Sequence, residues 1–318
     1  MSGEEIAKVS LEIGSIKLRP NNPYLWASGY RMPIYNDNRM LLGNYEHRIL
    51  IANELKKIVE KNNISFDYVA GIPTAGIAPA ASLAQILDKP LIIYDNGEFL
   101  EAESSISDLI SSSENSDLIA STCPYAIPMS VRLANNERKP FIYVRQNNKD
   151  HGMERKIEGI VSKGQRAFLV DLFTDSEKSY LVSAMDAIYE VTNAQVGMAK
   201  WMISKNKVNV DGKKLLVLED LISTGSSSIK EIIEYRKYGA IVEQLLSIFN
   251  YGFPEVNKNF IDEKISVNSA LYYDTLLKIA KQTNYINSEQ EKLLADWRLD
   301  PFNWGEKHGF IKGSKPLN

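Results

Sequence analysis

The sequence predicts an α/β protein with a central, mainly parallel sheet flanked by helices. The main observation is the stretch 215–233, where four apolar residues lead into a polar loop and then into apolar positions spaced i, i+3 and i+4. That order is typical of a buried strand followed by a helix packed on a sheet. The same order recurs over 68–87, and 241–249 is another apolar run of strand length.

Composition indicates an ordinary soluble globular chain. Its 318 residues, 44% hydrophobic and 24% charged, can bury one large core or two moderate ones. A net charge of −3 provides no basic surface for nucleic acid. No apolar stretch reaches membrane-spanning length, and the N-terminus lacks the basic and apolar regions of a signal peptide. The single cysteine, Cys123, excludes an internal disulfide and a multi-cysteine zinc site, so we expect a packed thiol in a cytoplasmic protein.

The N-terminal 66 residues form the first predicted unit. Up to about residue 40, aromatic residues and prolines alternate with polar residues, which indicates short strands and turns. From Asn44 onward, apolar residues recur with helical spacing as far as Ile58, which predicts an amphipathic helix.

A strand, a loop and an alanine-rich helix are predicted over 68–87. Gly71 and Gly76 have the spacing of a phosphate-binding P-loop, but Ile77 stands where the lysine must be, which excludes that nucleotide site. No G-x-G-x-x-G motif occurs, so the usual dinucleotide fingerprint is also missing. Judged alone, the loop 73–76 is equally compatible with a ligand site and with a tight helix-capping turn.

A polar segment, 145–159, follows the strand predicted over 140–144. It has a glycine near its middle and one at its end, and four cations among few apolar residues. Composition alone predicts a solvated, mobile loop.

The central motif ends in two adjacent carboxylates, Glu219 and Asp220, followed by a Ser/Thr/Gly loop. We expect Ser226–Ser228 to cap the next helix and Gly239 to end it. Free N–H groups at a helix N-terminus favour an anion, most often phosphate. The acids themselves suit a neighbouring ribose or a metal ion. A plain turn with exposed acids is the simpler alternative, but it leaves the coincidence of strand, acid pair, Thr-Gly and hydroxyl cap unexplained.

These motifs together resemble the orotate phosphoribosyltransferases, which are type I phosphoribosyltransferases. The acid pair with Thr224-Gly225 resembles the family's phosphoribosyl-pyrophosphate (PRPP) motif. The polar segment, with Lys149-x-His151-Gly and a final Ile-Glu-Gly, is similar to the family's mobile catalytic loop. The N-terminal hood of the family has its counterparts in Ser28-Gly29, Met32–Tyr35 and Asp37–Arg39. The resemblance covers about residues 16–254, apart from two inserted units.

The resemblance implies the type I phosphoribosyltransferase fold with an N-terminal hood, and the conversion of orotate and PRPP to orotidine 5′-monophosphate and pyrophosphate. Positive charge builds on the ribose as pyrophosphate leaves, so the site needs an anion clamp, a metal and exclusion of water. Mg²⁺ would be held mainly by PRPP, with no certain protein ligand. A homodimer is implied as well, with the catalytic loop shared between subunits. The expected partners are thus the small molecules orotate and PRPP, not nucleic acid or membrane.

The same resemblance assigns roles to individual residues. The catalytic set is Lys149, Glu219 and Asp220, and the two acids would hold the ribose hydroxyls. Other PRPP contacts bind pyrophosphate, grip the 5′-phosphate, or close over the leaving group: Thr74, Ala75 and Gly76; Ser223, Thr224, Gly225, Ser226 and Ser227; Arg145, Lys149 and His151. The orotate contacts would be Ser28, Ile34, Tyr35 and Ser223.

Several positions depart from the family pattern and leave alternatives open. Lysines or other cations of the family are replaced by Ala27, Ala75 and Gln146, and an orotate-facing arginine by Asn250-Tyr251-Gly252. Arg31 or Arg39 are the candidates to compensate. The chain could instead act on another base, or bind PRPP as a regulator without turnover. The retained Lys149 and His151 argue against a regulator, which needs no lid for departing pyrophosphate.

Two inexact internal repeats are also present. At an offset of 50 residues, 67–94 resembles 117–144, and at an offset of 48 residues, 164–171 resembles 212–219. The extra copies, about 95–138 and 160–211, lack the binding motifs, because Cys123–Ala126 and Asp175–Lys178 replace them. Duplication and chance similarity of βα units are the two explanations.

The predicted organisation is therefore a hood over 1–66, a PRPP-binding core over 67–254 that contains the two units, and a helical tail over 255–318. Duplicated units would extend or flank the sheet, and the Ser/Glu-rich 98–116 would be a flexible linker.

Overall fold

The computed structural model describes residues 2–26, 29–95, 97–102, 105–145, 156–173, 180–202 and 206–310. In these ranges the helices are α1 Ser2–Glu12, α2 Arg39–Leu42, α3 Tyr45–Lys61, α4 Ile77–Leu87, α5 Ser107–Ser113, α6 Ala126–Asn136, α7 Leu181–Thr192, α8 Ser226–Lys237, α9 Pro254–Asp262, α10 Tyr273–Gln282, α11 Ser288–Leu299 and α12 Trp304–Lys307. The strands are β1 Ile16–Leu18, β2 Tyr24–Leu25, β3 Arg31–Met32, β4 Ile34–Asn36, β5 Tyr68–Gly71, β6 Leu91–Asp95, β7 Glu98–Glu101, β8 Leu118–Ser121, β9 Phe141–Val144, β10 Ile157–Glu158, β11 Ala167–Phe173, β12 Val196–Met202, β13 Lys214–Ile222, β14 Ile241–Asn250 and β15 Ser266–Tyr272.

The first sheet has the strand order β15-β14-β13-β5-β6-β7. Its strands run parallel except for β7, which pairs antiparallel with β6. The apolar runs predicted as strands over 68–72, 215–218 and 241–249 all lie in this sheet. Helices cover the sheet and bury most of the apolar side chains of these strands, although β14 is exposed near its start at Ile241 and Glu243. The α/β class with mainly parallel strands is confirmed.

The second sheet has the order β10-β9-β8-β11-β12 and is also parallel except at one edge. This order reproduces β7-β6-β5-β13-β14 of the first sheet, and the connections occur in the same sequence. Strand register is also reproduced: Val69 lies opposite Leu91, and Ile119 lies opposite Phe141. The copies at 117–144 and 164–171 thus lie in a separate sheet and do not lengthen the first one, whereas β7, although inside the predicted unit 95–138, belongs to the first sheet.

Hydrogen bonds at the starts of the strands repeat as well. The Asp67 N–H donates to the Lys214 carbonyl, and the Lys214 N–H donates to the Asp67 carboxylate, both at 2.8 Å. In the second sheet Asp117 and Arg166 make the same two bonds at 2.7 and 2.8 Å. Agreement in strand order, register and these hydrogen bonds favours duplication over chance similarity of βα units.

The N-terminal hood consists of short strands and turns, as the sequence predicted. β1 pairs with β4 and β2 pairs with β3, each antiparallel. Helix α3 begins where predicted, because the Asn44 side chain accepts a hydrogen bond from the His47 N–H at 3.2 Å. The preceding helix α1, which the sequence analysis did not predict, packs on α10 and β15.

The 98–116 linker was wrongly predicted. It contains β7 and α5, and Phe99, Leu100 and Leu109 are buried. The Ser/Glu-rich composition concealed these apolar anchors, since they belong to two short apolar pairs, 99–100 and 109–110, among polar residues.

The C-terminal tail is mainly helical, as predicted, with α10, α11 and α12, but it also contains a strand that was missed. Leu271 belongs to β15, which extends the first sheet beside β14, and α10 begins at Tyr273. The tail and the hood share one large core with the first sheet, in which Trp297 and Trp304 are fully buried. The proposed domain boundaries stay predictions.

A smaller core, formed by β8, β9, β11 and α7, lies on the second sheet. Cys123 is a buried free thiol, as expected. Across the described ranges, no helix combines the length and hydrophobicity needed to cross a membrane.

Candidate functional site

The candidate site lies at the carboxyl edge of the first sheet. β5 and β13 are parallel neighbours, so the loops that follow them emerge at the same edge. The Ile72 N–H donates to the Leu218 carbonyl at 2.9 Å, which ties the start of the loop 73–76 to the strand that carries the acids.

Close backbone approach at this edge requires glycine at position 76. A Cβ atom on Gly76 would collide with the Leu218 carbonyl oxygen and would lie 2.8 Å from the Ile72 nitrogen. The Pro73–Thr74 peptide bond is cis, and Gly76 is the N-cap of α4. The loop containing Thr74 and Ala75 thus lies at a helix N-terminus, where an anion is favoured.

The second loop, Ser223–Gly225, leads into α8. Gly225 is its N-cap at φ 70°, where a Cβ would lie 2.7 Å from the Phe260 ring, so both conformation and space demand glycine. The expected cap by Ser226–Ser228 was therefore wrong. Gly239 ends the helix as predicted, because it follows the C-cap Tyr238 with a φ of 82°. Three hydroxyl groups stay exposed at this helix start, those of Thr224, Ser226 and Ser227, while Ser223 is partly buried.

The two acids lie on β13 itself, because the strand continues through Ile222. Glu219 is buried; its carboxylate accepts the Asp220 N–H at 3.0 Å and the Ser228 hydroxyl at 3.3 Å. Burial and then the neighbouring Asp220 raise the pKa of Glu219. Burial also raises the pKa of Asp220, although its hydrogen bond with Glu219 and the charge of Arg39 oppose that shift. Two carboxyl groups in poor contact with water favour a cationic ligand.

Hood residues complete the side of the site next to the acids. Asn38 donates from Nδ2 to the Asp220 carbonyl at 2.8 Å. Arg39 forms ion pairs with Asp37 at 2.5 Å and with Glu158 at 2.7 Å. Burial acts to lower the pKa of the Arg39 guanidinium, but Asp37 and then Asp220 outweigh it and raise that pKa. Arg39, one of the two candidates to compensate for missing cations, is thus held close to the acidic pair.

Glu158 is a residue whose role the sequence analysis missed. It lies on β10 and forms ion pairs with both Arg39 and Arg145, which brings the second sheet against the hood. Burial, and then the charge of Arg39, lower the pKa of Arg145. The sequence signal for Glu158 is the Ile-Glu-Gly ending of the polar segment.

A small pocket separates the loop 73–76 from the second sheet. Its lining combines residues of the hood, of α4 and its loop, of α6 and of the second sheet: Arg39, Leu42, Thr74, Ala75, Ala78, Ile127, Phe141, Tyr143 and Glu158. The loop expected to receive pyrophosphate therefore borders both units of the chain.

The expected orotate residues are only partly brought together. Ile34 is fully buried and its carbonyl accepts the Trp26 indole N–H at 3.2 Å, so its side chain has no access to a ligand. Tyr35 follows on β4 and is partly buried, with its ring centroid 5.7 Å from that of Tyr24. Ser223 lies in the loop before α8.

Other expected residues lie outside the described ranges, or away from the site. Ser28, Lys149 and His151 belong to the first group, together with Ala27 and Gln146. Tyr251, which stands near the place of the family's orotate-facing arginine, is a buried core residue stacked on Phe253 at 5.3 Å. Burial, and then the charge of Asp220, raise its pKa. Tyr251 is therefore a core residue within the electrostatic influence of Asp220, and it offers no cation.

A preformed metal cage is not seen in the described ranges, where no three His, Cys, Asp or Glu side chains cluster as metal ligands. The Glu219 and Asp220 oxygens are nevertheless hard donors of the type that Mg²⁺ accepts. Two carboxylates suit a metal whose other ligands come from a bound phosphate compound.

Comparison with known proteins supports the resemblance. No protein-family model matches the chain. Curated relatives include the orotate phosphoribosyltransferase of Coxiella burnetii, 29% identical over 301 residues that cover 94% of this chain and 97% of the relative. That of Porphyromonas gingivalis is 27% identical over 303 residues, covering 95% and 98%. A solved orotate phosphoribosyltransferase from Aeropyrum pernix overlaps with a TM-score of 0.45 at 19% identity, covering 89% of this chain and 99% of that one.

Proposed function

We propose that this chain, a relative of the orotate phosphoribosyltransferases, transfers the 5-phosphoribosyl group from PRPP to orotate. The products are orotidine 5′-monophosphate and pyrophosphate, in the cytoplasmic de novo synthesis of UMP. The observation that carries the proposal is the edge of the first sheet, where two glycine-dependent loops at helix N-termini lie beside a buried acid pair.

The two loops divide the charges of PRPP between them. The start of α8 would bind the 5′-phosphate through Ser223, Thr224, Gly225, Ser226 and Ser227, because backbone N–H groups and exposed hydroxyls converge there. Thr74, Ala75 and Gly76 would receive the pyrophosphate at the start of α4. Both loops are uncharged, so cations for the pyrophosphate come from elsewhere.

The acid pair then lies under the ribose. Glu219 and Asp220 would accept hydrogen bonds from the ribose hydroxyls once both are ionised. As the C1–oxygen bond to pyrophosphate breaks and a ring nitrogen of orotate bonds to C1, the ribose gains positive charge. Fixed carboxylates in a poorly solvated site stabilise that charge more than water does.

Mg²⁺ is the proposed cofactor. It would be held mainly by PRPP oxygens, with Glu219 and Asp220 as the available protein oxygens. When bound, it neutralises charge on the departing pyrophosphate.

Arg145, Lys149 and His151 are the proposed cations that hold pyrophosphate. Arg39 supplies a further cation near the acids, and a carboxylate-bearing base such as orotate is a suitable partner for it. The charge of Arg39 favours orotate over uracil or a purine, neither of which has a carboxylate. Ser28, Tyr35 and the backbone of Ile34 remain the proposed contacts to the base. A homodimer, implied by the resemblance, also stays a prediction.

A turnover assay tests the proposal directly. Purified protein with PRPP and Mg²⁺ is offered orotate, uracil, adenine and hypoxanthine, and released pyrophosphate is measured. Turnover with orotate alone is expected. Turnover with a purine would indicate a different phosphoribosyltransferase, and PRPP binding without turnover would indicate a regulator.

Asp220→Asn provides the matched variant for this assay. Loss of the charge beneath the ribose should lower kcat by about 10²–10³-fold, the usual effect of removing one electrostatic stabiliser, while the circular dichroism spectrum stays unchanged. Asp171→Asn is the control, since Asp171 is the second-sheet counterpart of Glu219 and accepts a hydrogen bond from the Thr122 hydroxyl at 2.7 Å. Full activity of Asp220→Asn would show that the central motif has been misread.

A further inference from the structure

We infer that the second α/β unit, residues 117–202, takes the place of a partner subunit, so that each chain holds one complete site built in cis. This inference rests on the proposed function. It locates within a single chain the contact that the resemblance assigns to two subunits.

The two units pack like the halves of a two-fold dimer. α4 packs against α6, and the two helices occupy equivalent positions in their sheets. The Asn135 side chain donates to Gln85 at 2.9 Å, and these residues are counterparts at the offset of 50 residues. A residue that contacts its own counterpart lies on a two-fold axis.

Contacts away from this axis are reciprocal, as two-fold symmetry requires. Ala75 shares a pocket with Tyr143 and Glu158 of the second sheet. At the related place the counterpart of Ala75, Tyr125, donates a hydrogen bond to Asp95 of the first sheet. The two βα loops therefore each border the antiparallel edge of the other unit.

The two symmetry-related positions, one around Ala75 and the other around its counterpart Tyr125, are no longer equivalent in chemistry. Where the first has the small Ala75 and an open pocket, the second has Tyr125, whose ring reaches across the junction. Gly76 corresponds to Ala126, and Asp220 corresponds to Leu172. The second place lacks the glycine, the second carboxylate and the space, so it serves as scaffold for the first.

Arg145 of the second unit is linked to the first unit's site through a chain of ion pairs. Arg145, at the end of β9, pairs with Glu158, and Glu158 pairs with Arg39 of the hood at 2.7 Å. Arg39 in turn acts on Asp220 through its charge. This chain of ion pairs joins second unit, hood and acid pair inside one polypeptide, so no other subunit is needed to bring Arg145 to the site.

Subunit mixing tests the inference. Arg145→Ala and Asp220→Asn proteins are each assayed alone, then mixed under conditions where exchange of differently tagged chains is confirmed or the chain is shown to be monomeric. In cis, every chain keeps its own defect, so the mixture shows only the average of the two activities. Recovery towards about a quarter of wild-type activity would mean that Arg145 acts in a neighbour's site, and would overturn the inference.

A binding measurement keeps this test independent of turnover. Calorimetric titration with PRPP and Mg²⁺ should show one site per chain, at a protein concentration where light scattering finds monomer. Arg145→Ala should weaken that binding by about tenfold or more, the usual loss for one charge-assisted hydrogen bond. Tyr125→Phe, altered at the related place, should bind as wild type. Unchanged affinity of Arg145→Ala, or two sites per chain, would contradict the inference even if the turnover assay fails.

Discussion

Glu219 and Asp220 are neighbours in sequence, yet they have different surroundings. Glu219 is enclosed and hydrogen-bonded to Ser228, whereas Asp220 is influenced by the charge of Arg39. Without a ligand, burial and then the neighbouring Asp220 disfavour the ionisation of Glu219, and burial disfavours the ionisation of Asp220. Binding of a cationic ribose or a metal would offset these effects. Ligand binding therefore offsets the unfavourable free energy of ionising the two buried acids in the ligand-free protein.

The raised pKa of Glu219 predicts a pH-dependent stability. A carboxyl group whose pKa is higher in the folded than in the unfolded chain binds more protons when folded, so stability falls as pH rises above the ordinary range of glutamate. Glu219→Gln removes this effect while keeping a hydrogen-bond acceptor for Ser228. We expect its Tm to exceed that of wild type at pH 8, with a much smaller difference at pH 4.

Differential scanning calorimetry without ligand measures the two Tm values, with wild-type protein in the same buffers as reference. Equal differences at pH 4 and pH 8 would show that Glu219 does not titrate abnormally. A saturating ligand should reverse the order, because the wild-type carboxylate then gains a partner.

At the scale of elements, the same strand–loop–helix arrangement occurs with and without a binding loop. β5 and α4 have their counterparts in β8 and α6, and the strands agree in register. The difference lies in the few loop residues, where Gly76 allows the backbone to approach β13 and Ala126 takes its place in the copy. Function at this edge thus depends on a local backbone approach that the sheet only positions.

Gly76→Ala tests this dependence. The added methyl group must displace the loop from β13, because the obstructing atoms belong to the backbone of Leu218 and Ile72. We expect a loss of about 1–3 kcal/mol in unfolding free energy, typical of overpacking, and much weaker PRPP binding. Urea denaturation and calorimetric titration measure the two effects.

Gly197→Ala is the matched control. Gly197 lies on β12, where a Cβ would make an ordinary contact of 3.4 Å with the Phe168 ring. This variant should bind PRPP as wild type and lose little stability. If the two variants lose the same stability and the same PRPP affinity, the close backbone approach at position 76 is not what binding requires.

At the scale of the whole molecule, the hood is the element that joins the two units. Arg48 of α3 is fully buried and donates to the Asn135 side chain at 2.9 Å, to the Leu42 carbonyl at 2.9 Å and to the Lys139 carbonyl at 2.7 Å. Burial lowers the pKa of this guanidinium to about 10, which still leaves it charged at neutral pH. One side chain therefore links hood, α6 and the entry to β9.

Arg48→Met should destabilise the junction between the units. Methionine fills similar space but leaves buried acceptors unsatisfied, which costs about 1–3 kcal/mol for each group that water cannot reach. We expect a correspondingly lower unfolding free energy in urea. Arg166→Met is the control, because the Arg166–Asp117 ion pair, 3.1 Å long, is exposed to solvent and should contribute little to stability. Similar losses in both variants would show that Arg48 has no special role.

The sequence by itself determined the α/β class, the strands β5, β13 and β14, and the positions of the two candidate binding loops and of the acid pair. Each of these depends on residues close together in the chain: apolar runs of strand length, glycines at tight turns and hydroxyls at helix starts. The similarity between 67–94 and 117–144 was visible for the same reason. Phe99 and Leu109 belong to short apolar pairs among polar residues. Such pairs form no comparable local pattern, so β7 and α5 were missed.

Only the tertiary structure decided which strands share a sheet and which residues meet. Glu158 pairs with Arg39 although 119 positions separate them, and Asn38 donates to Asp220 across 182 positions. Contacts of this kind depend on the packing of two units and a hood around shared helices, and no spacing along the chain encodes them. The second sheet and the pairing of α4 with α6 follow from burial of apolar faces against each other, which takes effect only when the whole chain folds.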